Sequence, residues 1–196
     1  MMTKNYCLYY WTACKDFWGR AIGVVLTLED AKRKGCDINY VIKVPDEAPK
    51  DIGFAVPMIQ LPTGQVVAQT PAILNVLGTT FGLCGQTVEQ QIACQQCVLD
   101  VDDIFSEVIQ KKWEGKKERA DKWFALLESK LTKSKFLVCD EPTVADFHGV
   151  FAFEWVLVKY EGDFKAFPKL TQWWTAINDY PPVKDMRASG IKMIPT

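Results

Sequence analysis

Two proline-containing segments that lie close together constrain the fold of this chain more than any other feature of its sequence. Pro57 follows Val56 at the start of a short apolar run, where the missing N–H costs no ladder bond and a cis bond would turn the backbone of Val56 outward. Thr70-Pro71 is typical of a helix start, with Thr70 as the cap and Pro71 in the first turn. Free N–H groups at such a helix end suit a carboxylate, and an extended ligand can pair with an outward backbone edge. Together the segments predict a peptide site built largely of backbone.

The first 78 or so residues have the pattern β-α-β followed by β-β-α. The residue patterns predict strands at 6–11, 39–44, 58–61 and 65–68, and a helix at 20–34. The turn Pro62-Thr63-Gly64 joins the last two strands as a hairpin, and the helix at Thr70 follows. This order is the plan of a thioredoxin-like fold.

The rest of the chain shows only helical periods, so the sequence predicts two domains. We expect a thioredoxin-like domain at 1–78, a linker at 79–86 and an all-α domain at 87–196, which begins with a long helix at 87–112. Thr143 and Asp146 form a variant of the capping box at the start of an apolar helix. That box predicts a role in folding rather than in chemistry.

Charge and hydropathy exclude several functions. The net charge is −1, and the basic run at 111–119 is interrupted by Glu114 and Glu118, which is typical of a solvated face and not of a nucleic-acid site. The start of the chain does not resemble a signal peptide, and no apolar run approaches the roughly 18 residues of a membrane span. We therefore expect a cytoplasmic protein that binds neither nucleic acid nor membrane.

The seven cysteines have no disulfide-framework spacing, which fits a reducing compartment. Cys94 and Cys97 form a CxxC inside the predicted long helix, whereas redox pairs lie at a helix N-terminus, so we expect both to be buried apolar residues. A zinc site needs two more ligands, and the single histidine, His148, falls in another helix. The sequence therefore predicts a structural role for His148 and no metal.

Four separated segments, in the right order, resemble the cytosolic glutathione transferases. They are the block from Val56 to the pair Gln69-Thr70, the passage at 77–85, the helix entry at 139–147 and the final helices at 167–184. The passage and Gln69 look like the Tyr-type classes, namely sigma, pi, mu and alpha. This resemblance covers nearly the whole chain. It implies a homodimeric transferase of detoxification, with glutathione as co-substrate and no tightly bound cofactor.

Two residues are candidates for activating the glutathione thiol. In the Tyr-type classes a tyrosine at the end of the first strand donates its O–H to the sulfur, and the resemblance places Tyr10 there. Because Tyr9 and Tyr10 face opposite ways, we expect one of them to leave the core. Cys14 is the alternative, since it lies near the catalytic position of the Ser-type and Cys-type classes, and a thiol at the start of the first helix beside Lys15 would have a lowered pKa. The class resemblance favours Tyr10.

The resemblance also implies the other contacts with glutathione. The backbone of Val56, beside Pro57, pairs with the cysteinyl part. Gln69 and Thr70 bind the γ-glutamyl carboxylate, and Arg20 binds a second carboxylate. Arg20 is alternatively a structural ion-pair partner. Asp100 lies one residue beyond the position of the family aspartate that reaches the neighbouring subunit's γ-glutamyl group. The electrophile pocket implied between the domains is walled by Trp11, Phe17, Trp18, Phe105 and Trp113.

Three functions are consistent with this sequence. The first is conjugation of glutathione to a small hydrophobic electrophile, or isomerisation of one, with the thiolate stabilised by Tyr10. The second is a thiol transferase in which Cys14 forms a mixed disulfide with glutathione. The third is a binding or structural protein of the same fold without turnover, because thioredoxin-like domains serve many purposes.

Overall fold

The computed structural model describes residues 3–160 and 164–195. Its first half contains a four-stranded mixed sheet in the order β2-β1-β3-β4, formed by β1 (Lys4–Tyr9), β2 (Ile38–Lys43), β3 (Met58–Gln60) and β4 (Val66–Ala68). β1 pairs in parallel with β2 and antiparallel with β3, and β4 completes the hairpin with β3. The helices of this half are α1 (Ile22–Arg33) and α2 (Thr70–Phe81). The predicted thioredoxin-like order is confirmed.

One row of paired residues positions the candidate site. Tyr9 of β1 pairs with Met58 of β3, and Met58 pairs with Ala68 of β4. At this row β1 and β4 end and β3 begins. The residues just beyond this row therefore leave the sheet at the same end of its strands. They are Tyr10, Pro57 and Gln69.

Both tyrosines at the end of β1 are buried, and they face opposite ways as predicted, so that only one of them lies in the main core. Tyr10 joins the main hydrophobic core. Tyr9 packs on the opposite face in a small cluster with Met58 and Ala48. The second face is covered because Ala48, in the segment that connects β2 to β3, packs against it.

The second half of the chain is helical. Its elements are α3 (Val88–Ile109), α4 (Lys117–Leu131), α5 (Val144–Lys159), α6 (Pro168–Asn178) and α7 (Pro181–Ala188). α3 ends three residues before the predicted limit of 112, and Lys111 beyond it adopts a φ of 57°, which is incompatible with continuing the helix. None of the helices in the described part of the chain has the length and apolar character needed to span a membrane.

The capping box at the start of α5 is confirmed as a folding element. The buried Asp146 carboxylate accepts hydrogen bonds from the backbone N–H groups of Thr143 (2.8 Å) and Leu137 (2.9 Å) and from the indole N–H of Trp173 (2.8 Å). One side chain thus joins the N-terminus of α5 to the preceding loop and to α6.

The two halves are joined by residues 82–87, because α2 ends at Phe81 and α3 begins at Val88. The N–H of Leu83 donates to the carbonyl of Gly78 at 2.7 Å, and the N–H of Val144 donates to the carbonyl of Leu83 at 2.9 Å. This joining segment is therefore attached to both α2 and the start of α5.

The long loop after β1 is held by the C-terminal end of the described chain. The N–H of Trp18 donates to the carbonyl of Lys192 at 2.8 Å, and the N–H of Gly19 donates to the carbonyl of Met193 at 2.7 Å. These bonds determine which way the aromatic side chains of the loop point.

Candidate active site

The hydroxyl of Tyr10 accepts one hydrogen bond within the protein and keeps its own proton free to be donated to a ligand. It follows β1 directly, and its hydroxyl oxygen accepts a hydrogen bond of 2.8 Å from the backbone N–H of Arg20. No acceptor for the phenol's own proton is identified in the described part of the chain. Burial raises the pKa of Tyr10 above its ordinary value, while the N–H and the charge of Arg20 oppose that rise. Tyr10 is therefore a protonated hydrogen-bond donor at neutral pH.

Gly19 permits this arrangement. Its φ of +50° lies in the left-handed region, and a Cβ there would lie only 2.5 Å from the hydroxyl oxygen of Tyr10. The ring of Phe17 meets the ring of Tyr10 edge-on at a centroid distance of 6.2 Å. A glycine and an aromatic contact thus fix the position of the tyrosine.

Cys14 is not at a helix N-terminus, which corrects the position that the sequence predicted for it. It is an exposed residue that follows a 3-10 turn at Trp11–Ala13, whereas α1 begins only at Ile22. The ammonium of Lys15 lies 4.5 Å from the centroid of the Trp11 ring. Residues 15–21 separate the cysteine from α1.

Val56 and Pro57 form an open backbone edge. The bond between them is cis, as predicted. No hydrogen-bond partner is identified for the N–H or C=O of Val56 among the described residues. Val56 and Trp11 both line a cavity of about 440 Å³. This cavity provides the space in which an extended ligand would pair with Val56.

Thr70 does not cap α2, which corrects the sequence interpretation. Gln69 is the N-cap, with a φ of 70°, and Thr70 is the first helical residue. The Thr70 side chain is buried, and its hydroxyl has no hydrogen-bond partner among the described residues. A buried hydroxyl without a partner at a helix N-terminus is available to a carboxylate.

Arg20 links the two halves of the chain. Its guanidinium carbon lies 4.5 Å from the centroid of the Phe105 ring, and its Nη1 lies 4.0 Å from Oδ1 of Asp102, both on α3. Asp102 also meets the buried His148 of α5, with Nε2 at 3.3 Å. Burial raises the pKa of Asp102, but the hydrogen bond with His148 and the Arg20 charge hold it below its ordinary value. Arg20 therefore has a structural ion-pair partner on α3, while its backbone N–H binds Tyr10.

Asp102 was missed by the sequence reasoning. The available signal was its place between Val101 and Ile104, two core residues of α3, which puts an acidic side chain at the border of the core. Asp100, the candidate that the resemblance implied, has an ion-pair partner within the chain. Its Oδ2 lies 3.7 Å from the ammonium of Lys130 on α4.

Only part of the predicted pocket wall comes together. Phe17 packs on Tyr10, Phe105 packs on Arg20, and Trp11 lies beside Val56. Trp18, by contrast, lines a different cavity with Met186 of α7, and its indole N–H lies 3.3 Å from the hydroxyl of Ser189. Trp18 therefore does not form part of the predicted pocket wall.

Trp113 is likewise withdrawn from the wall and belongs to a buried network in the helical half. Its indole N–H donates to Oε2 of Glu107 at 2.8 Å, and its ring packs edge-on against Phe124 and Tyr160. The indole of Trp123 and the guanidinium of Arg119 also bind Glu107. These bonds, above all that of Arg119, lower the pKa of Glu107 to about 2 despite its burial. Trp113 lies inside the helical half because its indole N–H supplies one of the hydrogen bonds that this buried carboxylate requires.

Comparison with known proteins gives the context of this site. Residues 102–181 match the family model described as the C-terminal domain of glutathione S-transferase. A glutathione S-transferase of Caenorhabditis elegans has 24% sequence identity and a TM-score of 0.75, and the alignment covers 95% of this chain and 98% of that one. The glutathione S-transferase of Ascaris lumbricoides has 22% identity and a TM-score of 0.73, with 96% and 98% covered. These TM-scores establish a common fold over nearly the whole chain.

A sequence search among curated proteins found no match. The likeness to known proteins therefore consists of the match of residues 102–181 and of the fold. The thioredoxin-like half shares the fold of the same structures. The helical half of this chain is thus similar to the C-terminal domain of glutathione S-transferases, and the chain as a whole has the fold of these enzymes.

Proposed function

We propose that this protein activates the thiol of glutathione as a thiolate and conjugates it to a small hydrophobic electrophile, with Tyr10 as the hydrogen-bond donor. The observation that carries the proposal is the hydroxyl of Tyr10, whose oxygen is engaged by Arg20 while its proton has no acceptor among the described residues. A thiolate is the acceptor that completes this arrangement. Cys14 offers no comparable environment, because it is exposed and outside the helix N-terminus.

The energy that activation requires is within reach of such a site. A free thiol has a pKa of about 8.5, and lowering it by roughly two corresponds to about 2.7 kcal/mol. A hydrogen bond to a charged group contributes about 1.5–3 kcal/mol. One bond from Tyr10 therefore supplies most of what is needed.

The other glutathione contacts follow from groups that lack partners within the protein. Val56 offers its backbone N–H and C=O to the cysteinyl part, next to the cis bond of Pro57. The hydroxyl of Thr70 and the N-terminus of α2, which begins after Gln69, face the γ-glutamyl carboxylate. The guanidinium of Arg20, already paired with Asp102, binds a second carboxylate.

The electrophile would lie against Phe17 and Phe105, with Trp11 at the glutathione end. Each of these rings contacts or lies beside a residue of the glutathione site. An apolar wall of this kind selects for hydrophobic character and size, and it leaves the individual substrate open.

We also propose a homodimer that is built on α3. Three large apolar side chains of this helix are unusually exposed, namely Val88 at 65%, Ile92 at 63% and Leu99 at 52%. Their spacing of four and seven residues places them on one face of the helix. An apolar stripe of this kind suits a self-complementary contact between two identical chains. A cytoplasmic location accompanies this proposal.

The proposal is tested with the purified protein, glutathione and an aromatic model electrophile. Binding of glutathione is measured by calorimetry, and conjugation by the absorbance of the product. We expect both. Binding without conjugation, and without reduction of a glutathione mixed disulfide, would indicate a carrier of the same fold. Reduction of the mixed disulfide without conjugation would indicate the thiol transferase. Absence of glutathione binding would overturn the proposal.

A further inference from the structure

Two thiols that the proposed reaction does not use lie side by side where the joining segment meets α3. Cys84 belongs to the segment at 82–87, and Cys94 belongs to α3. Their thiol groups interact directly with each other. Both residues line the same cavity of about 280 Å³, whose other walls come from α2, α3 and the start of α5. The cavity gives a small molecule access to a pair of otherwise buried sulfurs.

The start of α5 holds both sulfurs in place. The Sγ of Cys84 would clash with a Cβ on Gly78, and a methyl group of Val144 is 2.9 Å from the same Cβ position. Cys94 is hydrogen-bonded on its other side to the hydroxyl of Thr143 and to the backbone N–H of Ala145. Thr143, Val144 and Ala145 are consecutive residues at the helix N-terminus. Both cysteines are therefore anchored to one rigid element, which keeps them together.

We propose that Cys84 and Cys94 form a reversible intramolecular disulfide when the protein meets a hydroperoxide. The oxidant is a small peroxide, because a cavity of about 280 Å³ holds several water-sized molecules at roughly 30 Å³ each. This site is distinct from Tyr10 and from the glutathione contacts. It does not depend on the glutathione chemistry proposed above, and it shares Leu99, which lines the cavity, with the proposed dimer contact.

The environment assigns different roles to the two cysteines. The Cys94 thiol and the hydroxyl of Thr79 donate hydrogen bonds that hold the pKa of Cys84 below its ordinary value in spite of burial. The thiolate on Cys84 and burial in turn raise the pKa of Cys94. Cys84 is thus the attacking residue, and Cys94 is the resolving residue.

The reaction balances in two steps. The Cys84 thiolate attacks one peroxide oxygen, the O–O bond breaks, and hydroxide leaves while the sulfur becomes a sulfenic acid. The sulfur of Cys94 then attacks the Cys84 sulfur, the S–O bond breaks, and the hydroxyl leaves as water with the thiol proton of Cys94. In total, two thiols and one hydrogen peroxide yield one disulfide and two waters. A thiol such as glutathione or dithiothreitol reverses the change by exchange.

Cys97 is the natural control. It lies three residues beyond Cys94 in the same helix and is equally buried. Its thiol contacts the carbonyl of Leu137 at 3.8 Å, and burial raises its pKa to about 11. Cys97 therefore shares the helix, the burial and the residue type of Cys94 but lacks a facing thiol.

The experiment treats the intact protein with hydrogen peroxide, blocks the remaining thiols and digests it with a protease that cleaves after glutamate. Cleavage after Glu89 and Glu107 separates a fragment with Cys84 as its only cysteine from a fragment with Cys94 and Cys97. We expect a linked pair of these fragments, lighter than their sum by two hydrogen atoms, which dithiothreitol separates. Cys97→Ser should still link, whereas Cys84→Ser and Cys94→Ser should not.

Exposed Cys14 reports the oxidant dose in the same digest. If Cys14 is oxidised while Cys84 and Cys94 remain free to react with the blocking reagent, the proposal is wrong. It is also wrong if the link persists in Cys94→Ser, because the partner would then be Cys97. Should a serine variant fail to fold, the wild-type digest with and without dithiothreitol still decides whether the link forms.

Discussion

The hydroxyl of Tyr10 accepts a hydrogen bond of 2.8 Å from the backbone N–H of Arg20. The side chain of the same arginine reaches Asp102 and the ring of Phe105 in the helical half. One residue therefore orients the proposed donor through its backbone and connects the two halves through its side chain. In this arrangement the oxygen of Tyr10 is hydrogen-bonded within the protein, and its proton can be donated to a ligand.

Tyr10→Phe should slow conjugation without weakening glutathione binding. The change deletes one hydrogen bond to a charged sulfur, worth about 1.5–3 kcal/mol, so kcat/KM should fall roughly ten- to hundredfold. Thiolate absorbance measured against pH should show the pKa of bound glutathione rising toward its free value. Calorimetry should give nearly the same affinity for glutathione.

Cys14→Ser serves as the control for this variant. Because Cys14 is exposed and lies outside the helix N-terminus, both the rate and the pKa of bound glutathione should be unchanged. Loss of activity in Cys14→Ser together with a fully active Tyr10→Phe would contradict the role given to Tyr10.

Thr70→Val should weaken glutathione binding while the free protein keeps its stability. The hydroxyl is buried and has no partner among the described residues, so its removal should change the free energy of unfolding by less than about 1 kcal/mol. A lost hydrogen bond to a carboxylate should reduce affinity roughly ten- to hundredfold. Urea unfolding and calorimetry measure the two quantities.

Thr80→Val is the matched change on the same helix. The hydroxyl of Thr80 is exposed and donates to the carbonyl of Val76 at 2.7 Å, so affinity for glutathione should stay the same. Equal affinities in wild type and Thr70→Val would show that the N-terminus of α2 does not bind the γ-glutamyl carboxylate.

Glu107→Gln should remove a pH-dependent part of the stability. Arg119 and two indoles lower the pKa of Glu107 from 4.5 to about 2 in the folded protein. The folded state therefore favours the ionised carboxylate, and this stabilisation is fully present above about pH 4.5 and is lost as the pH falls toward 2. Urea unfolding at pH 7 and pH 3 should show a difference between wild type and variant that shrinks at pH 3. A difference that is the same at both pH values would contradict the prediction.

Charge on the exposed face of α3 should dissociate the proposed dimer. Light scattering should give wild type about twice the 22.2 kDa of one chain, and the double variant Ile92→Lys/Leu99→Lys should be monomeric because like charges would meet across the contact. The control is Leu157→Lys/Val158→Lys, at two side chains of α5 that are 53% and 56% exposed. A monomeric wild type, or dissociation by the control alone, would rule out this interface.

The sequence by itself determined the elements that depend on near neighbours. Two short apolar runs and the turn between them were enough for the hairpin, and the capping box at Thr143 was enough for the start of α5. The first strand was predicted at 6–11 and lies at Lys4–Tyr9, so Tyr10 follows it directly. The role of Tyr10 was implied by the family resemblance and not by periodicity. The hairpin and the helix start are encoded within a few residues, where periodicity and backbone preference act directly.

The tertiary structure alone decided which way the residues of irregular segments point. Phe17 reaches Tyr10 whereas its neighbour Trp18 turns to Ser189, because the loop pairs with residues 192–193. Gln69, rather than Thr70, became the N-cap because the junction after β4 holds it at a φ of 70°. No local period describes either segment.

Contacts between parts of the chain that are distant in sequence also could not be predicted from the sequence. Arg20, Asp102 and His148 come from three separate elements, and the pairing of Cys84 with Cys94 depends on the start of α5. Trp113 turned inward because a buried carboxylate needs donors. Local pattern shows which residues are buried or exposed, but the partner of a buried polar group is chosen by the packing of elements that are far apart in the sequence.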